Sequence, residues 1–369
     1  MASEPATPAL TIRAIKAAPV EVPLNFVLGT SQDVLRRVPL LLIDLQTEEG
    51  VTGRSYLFCY LRAAAPAIMS LLGEVEALTK GARAEPEALA AKLGKRFTLI
   101  GVQGIVRMAL AGFDIACWDA IAIAAGQPLC RLLGAEPNPI PAYNSCGLGL
   151  TADKGALAAE AARLLAGGFT AVKLRLGYAT LQEDLAAVQA VRRAIGDKIE
   201  LMVDYNQALS LEEALRRGRA LDDADIYWLE EPVRHDDYAG TARLATELKM
   251  PIQIGENFSL PAAMRAALDA RAADYVMPDL ERIGGVTGWR QAAAIAAVHR
   301  VPMSSHLFPE VSAHLLAATP TRHFLEYVDW ANVLLQEPLA IAGGHAHIPH
   351  RPGNGMVWDE KAVAHHRFG

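Results

Sequence analysis

The sequence predicts an α/β barrel preceded by a smaller α+β region, and three observations carry that reading. From Ile140 onward, short apolar runs alternate with amphipathic stretches rich in Ala, Leu and Arg. Roughly eight such β/α units follow one another, which fits a (β/α)8 barrel or a slightly modified (β/α)7β form. Polar residues of the kinds that do chemistry fall at the ends of the apolar runs. A doubly wound open sheet is the competing architecture, but no GxGxxG motif follows the first strand of the repeat.

Taken in order, 11–22 and 38–45 read as strands, rich in Val, Ile and Leu. Gly50 and Gly53 bracket a turn before 56–60. The pattern turns helical near Ala64, and 106–125 reads as a long Ala-rich helix. Pro128 ends that region, and Pro139 and Pro141 mark a boundary. The strands expected beyond it are 140–144, 171–175, 199–204, 226–230, 251–255, 273–277, 301–305 and 324–327. Amphipathic helices such as 181–195, 211–220 and 287–298 separate them. A single core stops growing near 250–300 residues, so a chain of 369 residues is expected to form about two domains. The expected division is an α+β domain over 1–138, a catalytic barrel over 139–334, and a loop-rich tail over 335–369 that packs back on the first domain.

Composition narrows the function. A net charge of −6 without a long Lys/Arg run gives no footprint for nucleic acid. No run reaches the roughly 18 apolar residues of a membrane span, and Met1–Pro19 lacks the charged-then-apolar pattern of a signal peptide. The four cysteines, Cys59, Cys117, Cys130 and Cys146, are far apart and form no CxxC pair. They read as reduced thiols, and the expected location is cytoplasmic.

Lys173 and Arg175 close the second barrel strand, Asp204 and Asn206 the third, Glu230 and Glu231 the fourth, and Glu256 and Asn257 the fifth. Asp279 follows the sixth, His306 the seventh, and Glu326 lies at the eighth. In a parallel barrel these ends share one mouth. Three carboxylates from adjacent strands, without cysteine, suit Mg²⁺ better than zinc. Such an ion would stabilise the charge that develops when a proton leaves the carbon α to a carboxylate. His306, oriented by Asp279, is placed to take that proton, with cationic Lys173 on the opposite side. Residues 25–37 are expected to fold over the mouth, with Tyr56 near the substrate.

The words around these residues, AVKLRLGY, MVDYNQ, WLEEP, IGENF, MPDLERIGGVTGW, PMSSHLF and SAHLLAATPT, resemble the mandelate racemase subgroup of the enolase superfamily. Weaker similarity lies at VPLLLIDL, SYLF and FDIACWDA. The resemblance implies a barrel capped by an α+β domain built from both chain ends, and a homo-oligomer. It implies Asp204, Glu230 and Glu256 as Mg²⁺ ligands and a His306–Asp279 dyad as base. It also implies that Glu326 donates a hydrogen bond to the carboxylate of a small-molecule substrate and that Ser145 touches the same group. Asn206 is expected at the substrate. The subgroup's second strand ends Lys-x-Lys, its second lysine being the base on the face opposite the histidine. Here the pair is Lys173 and Arg175. Arginine holds its proton to a pKa above about 12, whereas lysine shifts readily on burial. One-base chemistry through His306 is therefore expected, with loss of water from a hydroxylated or sugar acid as the leading reaction. The alternatives are a racemase or epimerase with Arg175 or Lys173 as the second base, and a barrel that only binds ligand. The complete set of ligands, dyad and Glu326 argues against the last.

Overall fold

The computed structural model describes residues 9–368, so the first eight residues of the Met1–Pro19 segment lie outside it. Strands β1 (Ile12–Gly29), β2 (Val34–Thr47) and β3 (Thr52–Phe58) form an antiparallel sheet in that order. Both arms of the β1–β2 hairpin run further than their apolar patterns suggest, across an irregularity between Pro23 and Leu28. Helices α1 (Ala64–Thr79), α2 (Pro86–Arg96) and α3 (Gly104–Ala124) follow, and the sheet packs on α1 and α3. Contact between β3 and α3 is very close: a Cβ at Gly53 would lie 2.0 Å from the Ala116 carbonyl oxygen, so only glycine fits there. A short helix α4 (Leu129–Leu132) leads to the barrel.

The barrel begins with β4 (Ile140–Asn144) and α5 (Lys154–Leu164), then β5 (Ala171–Arg175) and α6 (Leu181–Ile195). It continues with β6 (Glu200–Asp204), α7 (Leu211–Leu221), β7 (Ile226–Glu230) and α8 (Tyr238–Glu247). Next come β8 (Ile252–Ile254), α9 (Leu260–Asp269), β9 (Tyr275–Val276), α10 (Leu280–Ile283), α11 (Gly285–His299), α12 (Pro309–Ala317) and β10 (Leu325–Tyr327). Neighbouring strands from β4 to β9 are parallel, and β10 closes the ring on β4. The expected strand at 301–305 is not continuous. It survives as the bridges Val276–Met303, Asp279–His306 and Met303–Arg322. Only a short 3-10 turn, Asn332–Leu334, and the tail hairpin come directly after β10, with no barrel helix of its own, so the form is (β/α)7β with one reduced stave.

Local signals start the barrel helices. Thr180 and Glu183 form a reciprocal capping box on α6, and Ser210 caps α7. Inside the barrel Tyr143, Ala171, Met202 and Trp228 are fully buried beneath the strand ends, with the Tyr143 and Trp228 rings edge to face at 5.4 Å. Each large side chain withdrawn from water this way contributes roughly 1.5–3 kcal/mol. The layer is therefore a rigid floor for the polar residues above it.

The tail touches both units. Strands β11 (Ala340–Ala342) and β12 (His345–His347) add to β4 from outside, while α13 (Glu360–His366) packs on β1. The four cysteines are buried and unpaired. Among the described residues no helix is long and apolar enough to cross a membrane.

Candidate active site

Side chains two apart on a strand share a face, so Lys173 and Arg175 on β5 both enter the barrel mouth. Asp204 ends β6 and Glu230 ends β7, directly paired in register, and Glu256 follows β8. Asp204, Glu230 and Glu256 each bring a carboxylate oxygen within 4.8 Å of the others. Asp204 and Glu230 are fully buried. Burial raises both carboxyl groups; the Lys173 charge pulls them back down, neighbouring carboxylates push them up again, and Glu230 reaches about 8. Such a cluster is costly until a cation neutralises it. Three hard oxygen donors without sulfur fit Mg²⁺. Trp228 Nε1 donates to Glu230 at 3.1 Å and fixes its orientation from the barrel floor.

On one side of this cluster His306 Nδ1 lies 2.7 Å from Asp279 Oδ2. Asp279 also caps α10, accepting from the backbone N–H of Glu281 and Arg282 through its other oxygen. It is thereby held still. His306 Nε2 faces Glu256 at 3.3 Å. Burial opposes charge on the ring, but Glu256, Glu326 and Asp279 together outweigh it and raise the imidazole to about 9.

The other side is cationic. Lys173 Nζ lies 2.7 Å from Glu230, 2.9 Å from Glu326 and 3.6 Å from Asp204. Burial disfavours its charge, yet these three carboxylates hold the ammonium well above the ordinary lysine range. Arg175 donates to the Ser145 and Gly147 carbonyls at 3.2 and 2.9 Å and to Ser145 Oγ at 2.8 Å. Ser145 in turn donates to Glu326 at 2.7 Å.

Several expected residues take different places. Glu326 is surrounded by donors: Ser145, Lys173 and the Leu307 N–H. Burial alone would raise it, but the Lys173, His306 and Arg175 charges hold it well below the carboxylate range. It accepts hydrogen bonds from Ser145 and the Leu307 N–H and pairs with Lys173. Ser145 is fully buried behind Glu326 and is absent from the cavity lining. Tyr56 also turns away from the cavity; its hydroxyl donates to buried Glu310 at 2.7 Å, locking the cap to α12. Asn206 does line the cavity, donating to Asp204 at 2.9 Å.

The cavity, about 230 Å³, lies between barrel and cap and includes Lys173, Arg175, Asp204, Glu256, His306 and Glu326. The tip of the β1–β2 hairpin reaches it, as Ser31 and Gln32 hydrogen-bond to the backbone oxygens of Tyr205 and Asn206. Leu28, Gln32, Asp33 and Leu35 face inward. Arg36 and Arg37 stay exposed, the latter paired with Glu21. Phe58, Val328 and Trp330 line the cavity too, and the sequence reading passed over them. Val328 and Trp330 follow β10 directly, so the rule used for the polar residues would have found them. Arg282 was also missed; it reaches the Glu256 carbonyl and the Asn257 side chain.

Fold and site together define a Mg²⁺-dependent barrel enzyme of the lyase or isomerase type. Residues 10–134 match the mandelate racemase/muconate lactonizing enzyme N-terminal domain, and residues 156–362 the enolase C-terminal domain-like model. The chain belongs to the mandelate racemase/muconate lactonizing enzyme family of the enolase superfamily. It is similar to the 3,6-anhydro-alpha-L-galactonate cycloisomerase of Streptomyces coelicolor, with 33% identity over 87% of this chain and 89% of that protein. An enolase from the alpha proteobacterium bal199 with bound Mg superposes with a TM-score of 0.95 at 42% identity, covering 97% of this chain and 100% of that one. A Bradyrhizobium enolase complexed with magnesium and mandelic acid superposes with a TM-score of 0.92 at 39% identity, over 98% and 99%. Further relatives carry the names of sugar-acid dehydratases and cycloisomerases.

Proposed function

We propose that the protein removes the proton α to the carboxylate of a 2-hydroxy acid with His306 as its single base, and expels water from the adjacent carbon. The observation that carries this is the asymmetry of the two faces. His306 has a ring nitrogen directed into the site and a fixed partner behind it. The opposing Lys173 and Arg175 are cations committed to carboxylates and carbonyls.

Asp204, Glu230 and Glu256 would hold Mg²⁺, which supplies the positive charge that stabilises the substrate's ene-diolate. Lys173 adds a fixed positive charge on the side away from His306. With Glu256 committed to the ion its charge would no longer favour the imidazolium, and His306 Nε2, directed into the site, would accept the α-proton. Asp279 accepts the Nδ1 hydrogen, fixing the tautomer and stabilising the charged ring. His306 then returns the proton to the departing hydroxyl. Glu326 keeps Lys173 and Ser145 in place, and Arg175 is positioned to hold a substrate oxygen.

The test is proton–deuteron exchange at the α-carbon of each enantiomer of a working substrate in D₂O. One enantiomer should exchange, and Arg175→Lys should gain weak exchange of the other. Comparable exchange of both by the unaltered enzyme would overturn the one-base reading. A second reading, racemisation, is favoured by the mandelic acid in the Bradyrhizobium relative, an acid with no β-hydroxyl to lose. The same measurement separates the two.

A further inference from the structure

The cavity has two unlike walls. The barrel side carries the charged groups. The cap side, with the loop after β10, presents Leu28, Leu35, Phe58, Tyr60, Val328 and Trp330. This wall is built and stiff. The Phe58 ring packs on Tyr60 at 4.1 Å and on Trp330 at 5.0 Å. The Arg282 guanidinium sits 4.9 Å from the Tyr60 ring centre, and Tyr60 itself is held at a φ of 59°.

Each of the polar residues at the rim is engaged through at least one of its polar atoms. Thr30 Oγ1 donates to the Asp33 carbonyl and accepts from the Gln32 and Asp33 N–H groups. The Gln32 amide donates to the Asn206 carbonyl, Gln207 accepts from the His235 N–H, and Asn206 donates to Asp204. A polyol chain entering here would give up its water partners for a wall that is mostly carbon, whose polar atoms are the buried Tyr60 hydroxyl and Trp330 Nε1, and for rim amides each already engaged at one end. A second carboxylate would approach the rim that holds Asp33. An apolar end meets surface that gains from burial.

Resting on the proposed dehydration, we infer that the substrate is a monocarboxylic 2,3-dihydroxy acid whose far end is aryl or branched alkyl, rather than a polyhydroxylated acid sugar or a diacid. In the reaction His306 breaks the C2–H bond. The C3–O bond then breaks, the hydroxyl leaves as water with the proton from His306, and the enol becomes a 2-oxo acid. No oxidant or reductant is needed.

The experiment compares four probes with the Mg²⁺-loaded enzyme: 2,3-dihydroxy-3-phenylpropanoate and 2,3-dihydroxy-4-methylpentanoate, each as mixed stereoisomers, against gluconate and galactarate. Exchange of the α-proton and formation of the 2-oxo acid are followed together. The apolar pair should exceed the polyols by at least about tenfold in kcat/KM, the scale on which an apolar pocket discriminates. Leu35→Asn, at a half-buried position, should erase most of that preference, and Phe58→Asn should do so more strongly where it folds. Equal or reversed ranking, or exchange of none of the four, overturns the inference. Exchange of the apolar acids without 2-oxo acid leaves the pocket assignment standing and removes the dehydration reading. Dehydration of the polyols alone does the reverse.

Discussion

The end of β5 and the stave that carries His306 stand on opposite sides of the same carboxylate cluster, and both bring nitrogen bases to it. They differ in what surrounds those nitrogens. Lys173 and Arg175 meet carboxylates and carbonyls at 2.7 to 3.2 Å, and around Lys173 the carboxylates outweigh burial and the Arg175 charge, so its proton is held. His306 has one fixed acceptor at Nδ1, while its Nε2 faces Glu256, a group that a metal would claim. Residue type sets what a side chain can do, and its partners decide whether a proton stays or leaves.

The largest effect should come from the histidine side. His306→Asn is expected to lower kcat by about a thousandfold or more, within the range of a general base. Asp279→Asn should cost less, toward the lower end of the roughly 10²–10⁴-fold range of general-base catalysis, because it disturbs the tautomer but leaves the imidazole in place. Steady-state rates with a thermal melt as folding control check both. If His306→Asn keeps near-normal activity, the contrast between the two sides fails.

EDTA should abolish turnover, and Mg²⁺ or Mn²⁺ should restore it, because the three carboxylates would lose their neutralising charge. Turnover that persists through EDTA would break the assignment of Asp204, Glu230 and Glu256.

A smaller, pH-dependent effect should appear in the metal-free protein. His306 and Glu230 sit at about 9 and about 8, both above their unfolded values of about 6.5 and 4.3. Groups raised in this way stabilise the fold below their unfolded pKa, and that contribution is lost as pH rises through the folded value. The melting temperature without metal should therefore fall by roughly 2–5 °C between pH 6.5 and 9. Saturating Mg²⁺ should flatten the fall. A melting temperature without metal that rises over this window would contradict the charge pattern described for the cluster.

The smallest effect on turnover belongs to Tyr56. Tyr56→Phe removes the donor to Glu310 and should cost about 1–3 kcal/mol of stability, with kcat/KM unchanged. A change in substrate preference would return Tyr56 to the substrate side.

The sequence by itself determined the barrel, the order of its strands, and the gathering of Lys173, Asp204, Glu230, Glu256, Asp279 and His306 at one end. These follow from local rules. Alternation along a strand sets which side chains point inward, and parallel strands bring their ends to one face. Tertiary structure decided what those rules do not reach. Single bridges, Val276–Met303, Asp279–His306 and Met303–Arg322, hold a stave too weakly paired to count as a strand. Tyr56 lies near the mouth in sequence order, yet it pairs with Glu310 across 254 residues and turns away. Glu326 became an acceptor because Ser145, Lys173 and the Leu307 N–H converge on it from three elements. The hairpin tip chose Leu28 and Leu35 for the cavity and left Arg36 and Arg37 in water. Each of these outcomes depends on distances between segments far apart in the chain. Packing sets those distances, and the period of a strand or helix carries no information about them.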